Sequence, residues 1–296
     1  MSDNMQNGRV LKQQNGLYTI EDENGISRVG NAGSKIRKEG YKILAGDFVE
    51  YILNTDNSIF INSLLERKNS FIRPPVANLD TLFIVVATDE PAPDFYNIDS
   101  MLSITEANNV NPIIVVNKID IKSQNEICSI YEKCGYKVYS ICGNKEDGID
   151  ELKNSIEGVC AFAGQSGVGK STIMNQLFPE LLLEVGEISQ RIQRGKNTTR
   201  ITELFKINKD TYVADTPGFG MIDFINFDLL TLEQLNEKAF PEFTPYKNNC
   251  KFRNCTHLKE ESCAVISAVR ENIIPASRHE NFIRLHDELS SKNQYK

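Results

Sequence analysis

Gly164-Gln-Ser-Gly-Val-Gly169-Lys170-Ser171 is the stretch on which the reading of this 296-residue chain turns. Its spacing, Gly-x4-Gly-Lys-Ser, is that of a loop whose backbone N–H groups cradle phosphate oxygens. The apolar run Val159–Ala163 precedes it and is expected to be a buried strand; a segment with helical spacing follows. Gly164 and Gly169 allow the backbone conformations that such a cradle needs, and the helix N-terminus adds partial positive charge. Gln165, Ser166, Gly167, Val168 and Thr172 complete the expected nucleotide contacts. Lys170 is expected to reach the β- and γ-phosphates and Ser171 to ligate Mg²⁺.

Upstream of this loop, Leu82–Ala87 and Pro112–Val116 are continuous apolar runs of the kind buried on both faces of a sheet. Helical spacing occupies Ile98–Asn108, Ile127–Cys134 and Ile149–Ile156, with a strand expected at Lys137–Cys142. Strands alternating with helices predict a parallel sheet with crossovers. Downstream, Ile201–Ile207 and Thr211–Ala214 flank Asn208-Lys209-Asp210 and read as a hairpin.

Asn117-Lys118-Ile119-Asp120 directly follows one buried run. A carboxylate there can accept from the N1–H and 2-amino groups of guanine, a donor pair that adenine lacks, so an adenine would leave it unpaired. Ser140-Ile141-Cys142 follows a predicted strand and is expected to add a backbone contact to guanine O6. Asp215-Thr-Pro-Gly218 also ends a strand. Its Asp can hold Mg²⁺, and the Gly218 N–H can bond the γ-phosphate, a contact that exists only in the triphosphate state. Thr198 and Thr199 lie between the two phosphate motifs, in a polar stretch expected to be a mobile loop; either can supply a second hydroxyl to Mg²⁺.

Around this central segment the character of the chain changes twice. Residues 8–66 read as short strands between Asn- and Gly-containing turns: Val10–Leu11, Leu17–Ile20, Ile26–Val29, Phe48–Leu53 and Ile59–Leu64. That pattern predicts a small barrel, taken as a five-stranded OB-type barrel. After residue 226, Leu229–Ala239, Cys263–Ile273 and Ser277–Leu289 read as helical, with a Cys/His-rich segment at Cys250–Cys263. Cys250-x4-Cys255-x-His257-x5-Cys263 is a closed Cys₃His set, typical of structural Zn²⁺. Cys128, Cys134, Cys142 and Cys160 are expected to be buried small hydrophobes, and His279 and His286 to lie at the surface of a polar helix. The domains are therefore expected at 1–70, 71–225 and 226–296.

The order of the motifs resembles that of the circularly permuted GTPases of small ribosomal subunit biogenesis, the RsgA family. In ordinary GTPases the phosphate loop comes first, then the switch threonine, Asp-x-x-Gly and Asn-Lys-x-Asp. Here Asn117–Asp120 and Ser140 precede Gly164–Ser171, Thr198/Thr199 and Asp215–Gly218. With a barrel before and a Cys/His cluster after, the resemblance spans nearly the whole chain. It implies a multidomain α/β protein: an OB-type β-barrel, a permuted P-loop GTPase domain and a mostly helical zinc-binding domain. It also implies GTP hydrolysis to GDP, stimulated by the 30S subunit during its late maturation, with contacts to 16S rRNA. Lys170, Thr199, Asp215 and Gly218 would form the catalytic set, with Ser171, Thr199 and Asp215 around Mg²⁺. The chain is expected to act as a cytoplasmic monomer. Two positions depart from common patterns: Phe219 stands where many GTPases carry a water-positioning Gln, and Asn197 where this family often has a His.

The charge is consistent with this division. Of 33 basic and 40 acidic residues, 1–70 holds nine of each and 226–296 ten of each, while 71–225 holds 14 basic and 21 acidic. The whole excess of −7 thus sits in the nucleotide-binding segment, and generic polyanion attraction is not expected to drive any RNA contact. Basic patches at 34–42, around Tyr41, and at 188–202 would have to do so locally. The start carries no basic-then-apolar leader, no apolar run reaches membrane-spanning length, and reduced thiols are expected. A nucleotide-gated RNA-binding module with incidental hydrolysis and an ATP-using kinase remain as other readings; intact Lys170, Ser171 and Asp215 favour an enzyme, and Asp120 favours guanine.

Overall fold

The computed structural model describes residues 5–33, 36, 42–72, 75–143, 145, 147–181, 202–215 and 229–293. They form two compact units. One comprises residues 1–81, 156–162 and 178–219; the other comprises 82–155, 163–177 and 220–296.

The first unit is built on a closed five-stranded barrel. Its strands are β1 (Met5–Gln14), β2 (Leu17–Asp22), β3 (Ser27–Ala32), β4 (Phe48–Leu53) and β5 (Ile59–Leu64). β1 pairs antiparallel with β2 and β4, β2 with β3 and β4 with β5, and a parallel β3–β5 pair closes the ring. This is the OB-type barrel expected. Inward positions alternate along each strand, as a half-buried strand requires: Val10, Ile20, Val49, Tyr51, Ile59 and Ile61 form the core. The register of β1 against β2 shifts between Val10 and Lys12. At that bulge the Val10 N–H donates to the Asp47 carbonyl and the Gly46 N–H to the Val10 carbonyl, so neither backbone group is left unpaired.

Ten residues make β1 long enough to continue beyond the barrel. Lys12 pairs in register with Glu203 of β12 (Glu203–Lys206), and their side chains form an ion pair at 2.7 Å. β12 runs antiparallel to β13 (Tyr212–Asp215), the hairpin expected around Asn208–Asp210, and β13 runs parallel to β11 (Val159–Ala163). A short hairpin of β6 (Ser70–Ile72) and β7 (Pro75–Ala77) was not anticipated; its prolines argue against a strand, and Pro75 is tolerated as the first residue of β7.

In the second unit β8 (Thr81–Ala87), β9 (Asn111–Asn117) and β10 (Lys137–Ser140) lie side by side, with β9 and β10 parallel. Every residue of β8 is buried, which is why its sequence does not alternate. Among the described residues the α-helices are α1 (Phe95–Ala107), α2 (Asn125–Lys133), α3 (Ile149–Lys153), α4 (Lys170–Leu177), α5 (Leu232–Glu237), α6 (Thr244–Lys247), α7 (Ala264–Arg270) and α8 (Ala276–Asn293). None in the described residues is long and apolar enough to cross a membrane.

α8 packs on α1 around a buried cation. Arg278 is wholly buried and donates from Nη1 to Asp99 of α1 at 2.8 Å and from Nε to Glu242 at 2.7 Å. Tyr131 and Asn281 also donate to Asp99, at 2.9 and 2.6 Å. Burial opposes the guanidinium charge, but Asp99 and Glu242 outweigh it and hold its pKa well above the usual value. His279, expected at the surface, is buried instead: it stacks on Phe282 and bonds through Nε2 to the His257 carbonyl at 2.6 Å. Cys134, Cys142 and Cys160 are buried as expected, and Cys128 is half-buried.

Replacing Arg278 by Met should leave two buried carboxylates without their cation. A destabilisation of about 3–5 kcal/mol is expected in urea unfolding. Arg284→Ala, which breaks an exposed pair with Glu288, should cost less than about 1 kcal/mol.

Candidate functional site

The phosphate loop lies between β11 and α4, as its sequence context requires. Gly169 has φ +98°, and a Cβ there would stand 2.2 Å from Asn117 Nδ2, so only glycine lets the loop pass this side chain. Val168 is buried beneath the loop, while Ser166 and Gly167 are exposed. Lys170 opens α4 and folds back over the loop, donating from Nζ to the carbonyls of Gly164 and Gln165, each at 2.7 Å. Burial pushes the Lys170 pKa down. A desolvated ammonium beside a helix N-terminus is stabilised by an anion, and a phosphate supplies one. Ser171, exposed, and Thr172, half-buried, follow on the first turn.

Asn117 is the last residue of β9 and is buried. Its Nδ2 donates to the Val168 carbonyl at 2.8 Å and its Oδ1 accepts from the Gly143 N–H at 3.0 Å. One carboxamide thus joins three segments: its own strand end, the phosphate loop and the turn after β10. Lys118, in the left-handed region at φ +63°, donates from Nζ to the Glu90 carbonyl, while its own carbonyl accepts from Thr88 Oγ1 at 2.6 Å. Asp120 is exposed, and Lys145 Nζ stands 3.1 Å from its Oδ2. Hydrogen bonds from Lys145 and then from the Cys142 thiol hold the Asp120 pKa below the usual carboxylate value.

Ser140 ends β10, and its Oγ lies 3.5 Å from Cys128 Sγ. The groups that meet Asn117 and Asp120 come from Cys142, the last residue of the segment read after the strand, and from Gly143 and Lys145, which sequence reasoning passed over. The only signal for them is their position just after a strand beside the Asn-Lys-x-Asp segment. Asp215 ends β13, opposite Glu203 of β12. Thr198, Thr199 and Gly218 lie outside the described residues, as do Asn197, Phe219 and most of both basic patches, Tyr41 included.

Cys250, Cys255, His257 and Cys263 present one ligand atom each, all within 4.8 Å of one another. Cys250 Sγ lies 3.8 Å from Cys263 Sγ and 3.6 Å from His257 Nδ1, which is 3.3 Å from Cys263 Sγ. A tetrahedral ion with bonds of about 2.3 Å to sulfur would separate two sulfurs by about 3.8 Å, so the donor set fits a metal. The backbone places His257 with φ +60°, and its carbonyl is held by His279. Burial, chiefly, pushes the Cys255 thiol up to about 12, so its thiolate needs a cation beside it.

These geometries coincide with a known family. The RsgA GTPase family model matches residues 64–225. The chain belongs to the RsgA GTPase family. A relative from Ruminiclostridium cellulolyticum, a small ribosomal subunit biogenesis GTPase RsgA, is 37% identical over 99% of this chain and 96% of its own. One of the same description from Staphylococcus aureus is 37% identical over 97% and 99%. The crystal structure of YjeQ from Thermotoga maritima superposes with a TM-score of 0.78 at 30% identity, covering 97% of this chain and 99% of that one. That of YloQ, described as a circularly permuted GTPase, gives 0.79 at 29%, covering 98% and 96%. Family membership therefore extends from the barrel to the Cys/His cluster.

Asn117→Ala should leave the Val168 carbonyl and the Gly143 N–H without their partner. A loss of about 2–3 kcal/mol is expected in urea unfolding. Asn117→Asp, which can still accept from Gly143 but cannot donate to Val168, should also destabilise, because it sets a carboxylate against a carbonyl.

Proposed function

We propose that the chain is a GTPase of small ribosomal subunit biogenesis, hydrolysing GTP to GDP and phosphate at a rate that the 30S subunit raises. The observation that carries this reading is the join made by Asn117. It sets a carboxylate segment suited to guanine and a loop suited to phosphates on one buried side chain. Gly164, Gln165, Ser166, Gly167, Val168, Gly169 and Thr172 would line the phosphates, with Lys170 neutralising the β- and γ-oxygens and Asp120 reading the base. Ser171 and Asp215, with Thr198 or Thr199, would hold Mg²⁺, which screens charge on the phosphates. Gly218 would sense the γ-phosphate.

The Cys₃His cluster would hold one structural Zn²⁺, binding it as three thiolates and a neutral imidazole. Sequence character supports three domains, at 1–70, 71–225 and 226–296, acting as a cytoplasmic monomer. RNA contact, to 16S rRNA, rests on the relatives' description and on local basic residues rather than on net charge. Phe219 cannot polarise water and Asn197 cannot take a proton near neutral pH, so slow turnover in the absence of the ribosome fits this chain.

Steady-state hydrolysis with and without 30S subunits tests the proposal. A rise of at least tenfold with subunits is expected, and equal rates would refute the ribosome dependence. Asp120→Asn should weaken GDP binding by more than about tenfold, since one bidentate pair to a base edge is worth about 1–3 kcal/mol. Metal analysis of the purified chain should find about one zinc per molecule. Chelation should lower the thermal midpoint, and Cys263→Ser should remove most of that chelator sensitivity.

A further inference from the structure

We infer that Lys145 is a positioning residue for guanine, acting through Asp120. The inference rests on the guanine reading proposed above and adds to it a group outside the Asn-Lys-x-Asp motif.

Lys145 sits in the short turn between β10 and α3. Its N–H donates to the Cys142 carbonyl at 2.8 Å, and the Cys142 N–H donates to the Asp147 carbonyl at 3.0 Å, which closes the turn on itself. From that closed turn Lys145 Nζ reaches Asp120 Oδ2 at 3.1 Å. The same turn carries Gly143, whose N–H holds Asn117. One turn thus grips the first and the last member of Asn117-Lys-Ile-Asp120.

An exposed ion pair is usually worth little. Two features set this one apart. First, an ionised carboxylate has about four acceptor positions. Lys145 and the Cys142 thiol both donate to it, which leaves about two for the N1–H and 2-amino groups of guanine. The protein donors and the base therefore complement one another rather than compete. Second, a base seated on Asp120 removes water from one side of the pair, and the attraction between ammonium and carboxylate strengthens as the local dielectric falls. Asp147, on the same turn, also favours the ammonium. Lys145 holds the carboxylate in one orientation before the base arrives, so less ordering remains to be done on binding.

The experiment is nucleotide titration of the full chain. Lys145→Ala should weaken GDP roughly fivefold, the equivalent of losing one good exposed charge contact. Lys145→Arg should restore affinity to within about twofold, because a cation remains in reach. The decisive arm is a cycle in the Asp120→Asn background, followed with xanthosine diphosphate, whose 2-oxo group an amide can meet. There is no carboxylate to position in that background, so Lys145→Ala should change affinity less than about twofold. A Lys145→Ala variant that binds GDP as the wild type does, or more tightly, overturns the inference, as does an equal loss in both backgrounds. Those results leave the guanine reading standing if Asp120→Asn still weakens GDP. A wild-type chain that binds no GDP removes that reading and this inference together.

Discussion

A single buried carboxamide, that of Asn117, carries more of the site than any other group expected to touch nucleotide. Its two bonds run to backbone, one to the Val168 carbonyl and one from the Gly143 N–H, and both are buried. Backbone partners cannot change rotamer, so the spacing between the phosphate loop and the turn after β10 is fixed to hydrogen-bond tolerance. The close passage of Gly169 over the same side chain makes the constraint steric as well as polar. A nucleotide spans base and phosphates with a rigid sugar between. A protein that prearranges both ends has less ordering left to do when the ligand arrives.

The second constraint is electrostatic and lies deeper. Arg278 is enclosed by Asp99 and Glu242, with the Tyr136 hydroxyl 3.3 Å from Nη2 and the Phe240 ring 4.4 Å from its guanidinium carbon. Such a group is costly unless every donor is met, and its value is in the orientation it enforces. Asp99 belongs to the helix after β8, and Arg278 to the last helix of the chain. The Cys₃His cluster is tied to that last helix in turn, through His279 and the His257 carbonyl. Around it Phe240, Phe243 and Phe282 pack ring on ring at 5.1–5.3 Å between centroids, an apolar wall that makes the polar contacts worth their desolvation.

Much of this was legible in residue patterns, and the failures have physical causes. Leu82–Ala87 and Val159–Ala163 could be read as strands because burial on both faces leaves no polar position to confuse the pattern. The start of α1 was misplaced by three residues because Asp94, not the first apolar residue, ends the extended backbone, capping the Asn97 N–H. Ser140-Ile141-Cys142 could be read as backbone after a strand, but the pattern does not show that the Ser140 hydroxyl faces Cys128 or that the next residue, Gly143, turns back to Asn117. Sequence periodicity cannot locate a turn that is held together by its own backbone bonds. The burial of Arg278 and His279 was invisible for a different reason. In a helix as polar as Ala276–Asn293, a long cation reads as solvent-facing, and only partners some 180 and 36 residues away, Asp99 and Glu242, reverse that.

The barrel shows how local charge matters more than the total. Its first strand meets β12 at Lys12 and Glu203, and Lys206 of β12 pairs with Glu21. Arg9 places its guanidinium between the rings of Phe48 and Tyr212, at 4.4 and 4.7 Å. A cation held between two ring faces is attracted to both, and burial lowers its pKa without removing its charge. β12 and β13 are therefore fastened to β1, β2 and β4 by three separate contacts, two ion pairs and one cation held between rings. β13 ends at Asp215, the expected Mg²⁺ carboxylate, so that residue's backbone is anchored by the barrel's own first strand through β12. The neutral N-terminal segment thus spends part of its balanced charge on holding the hairpin, which leaves fewer cations there for a polyanionic partner than a simple count suggests.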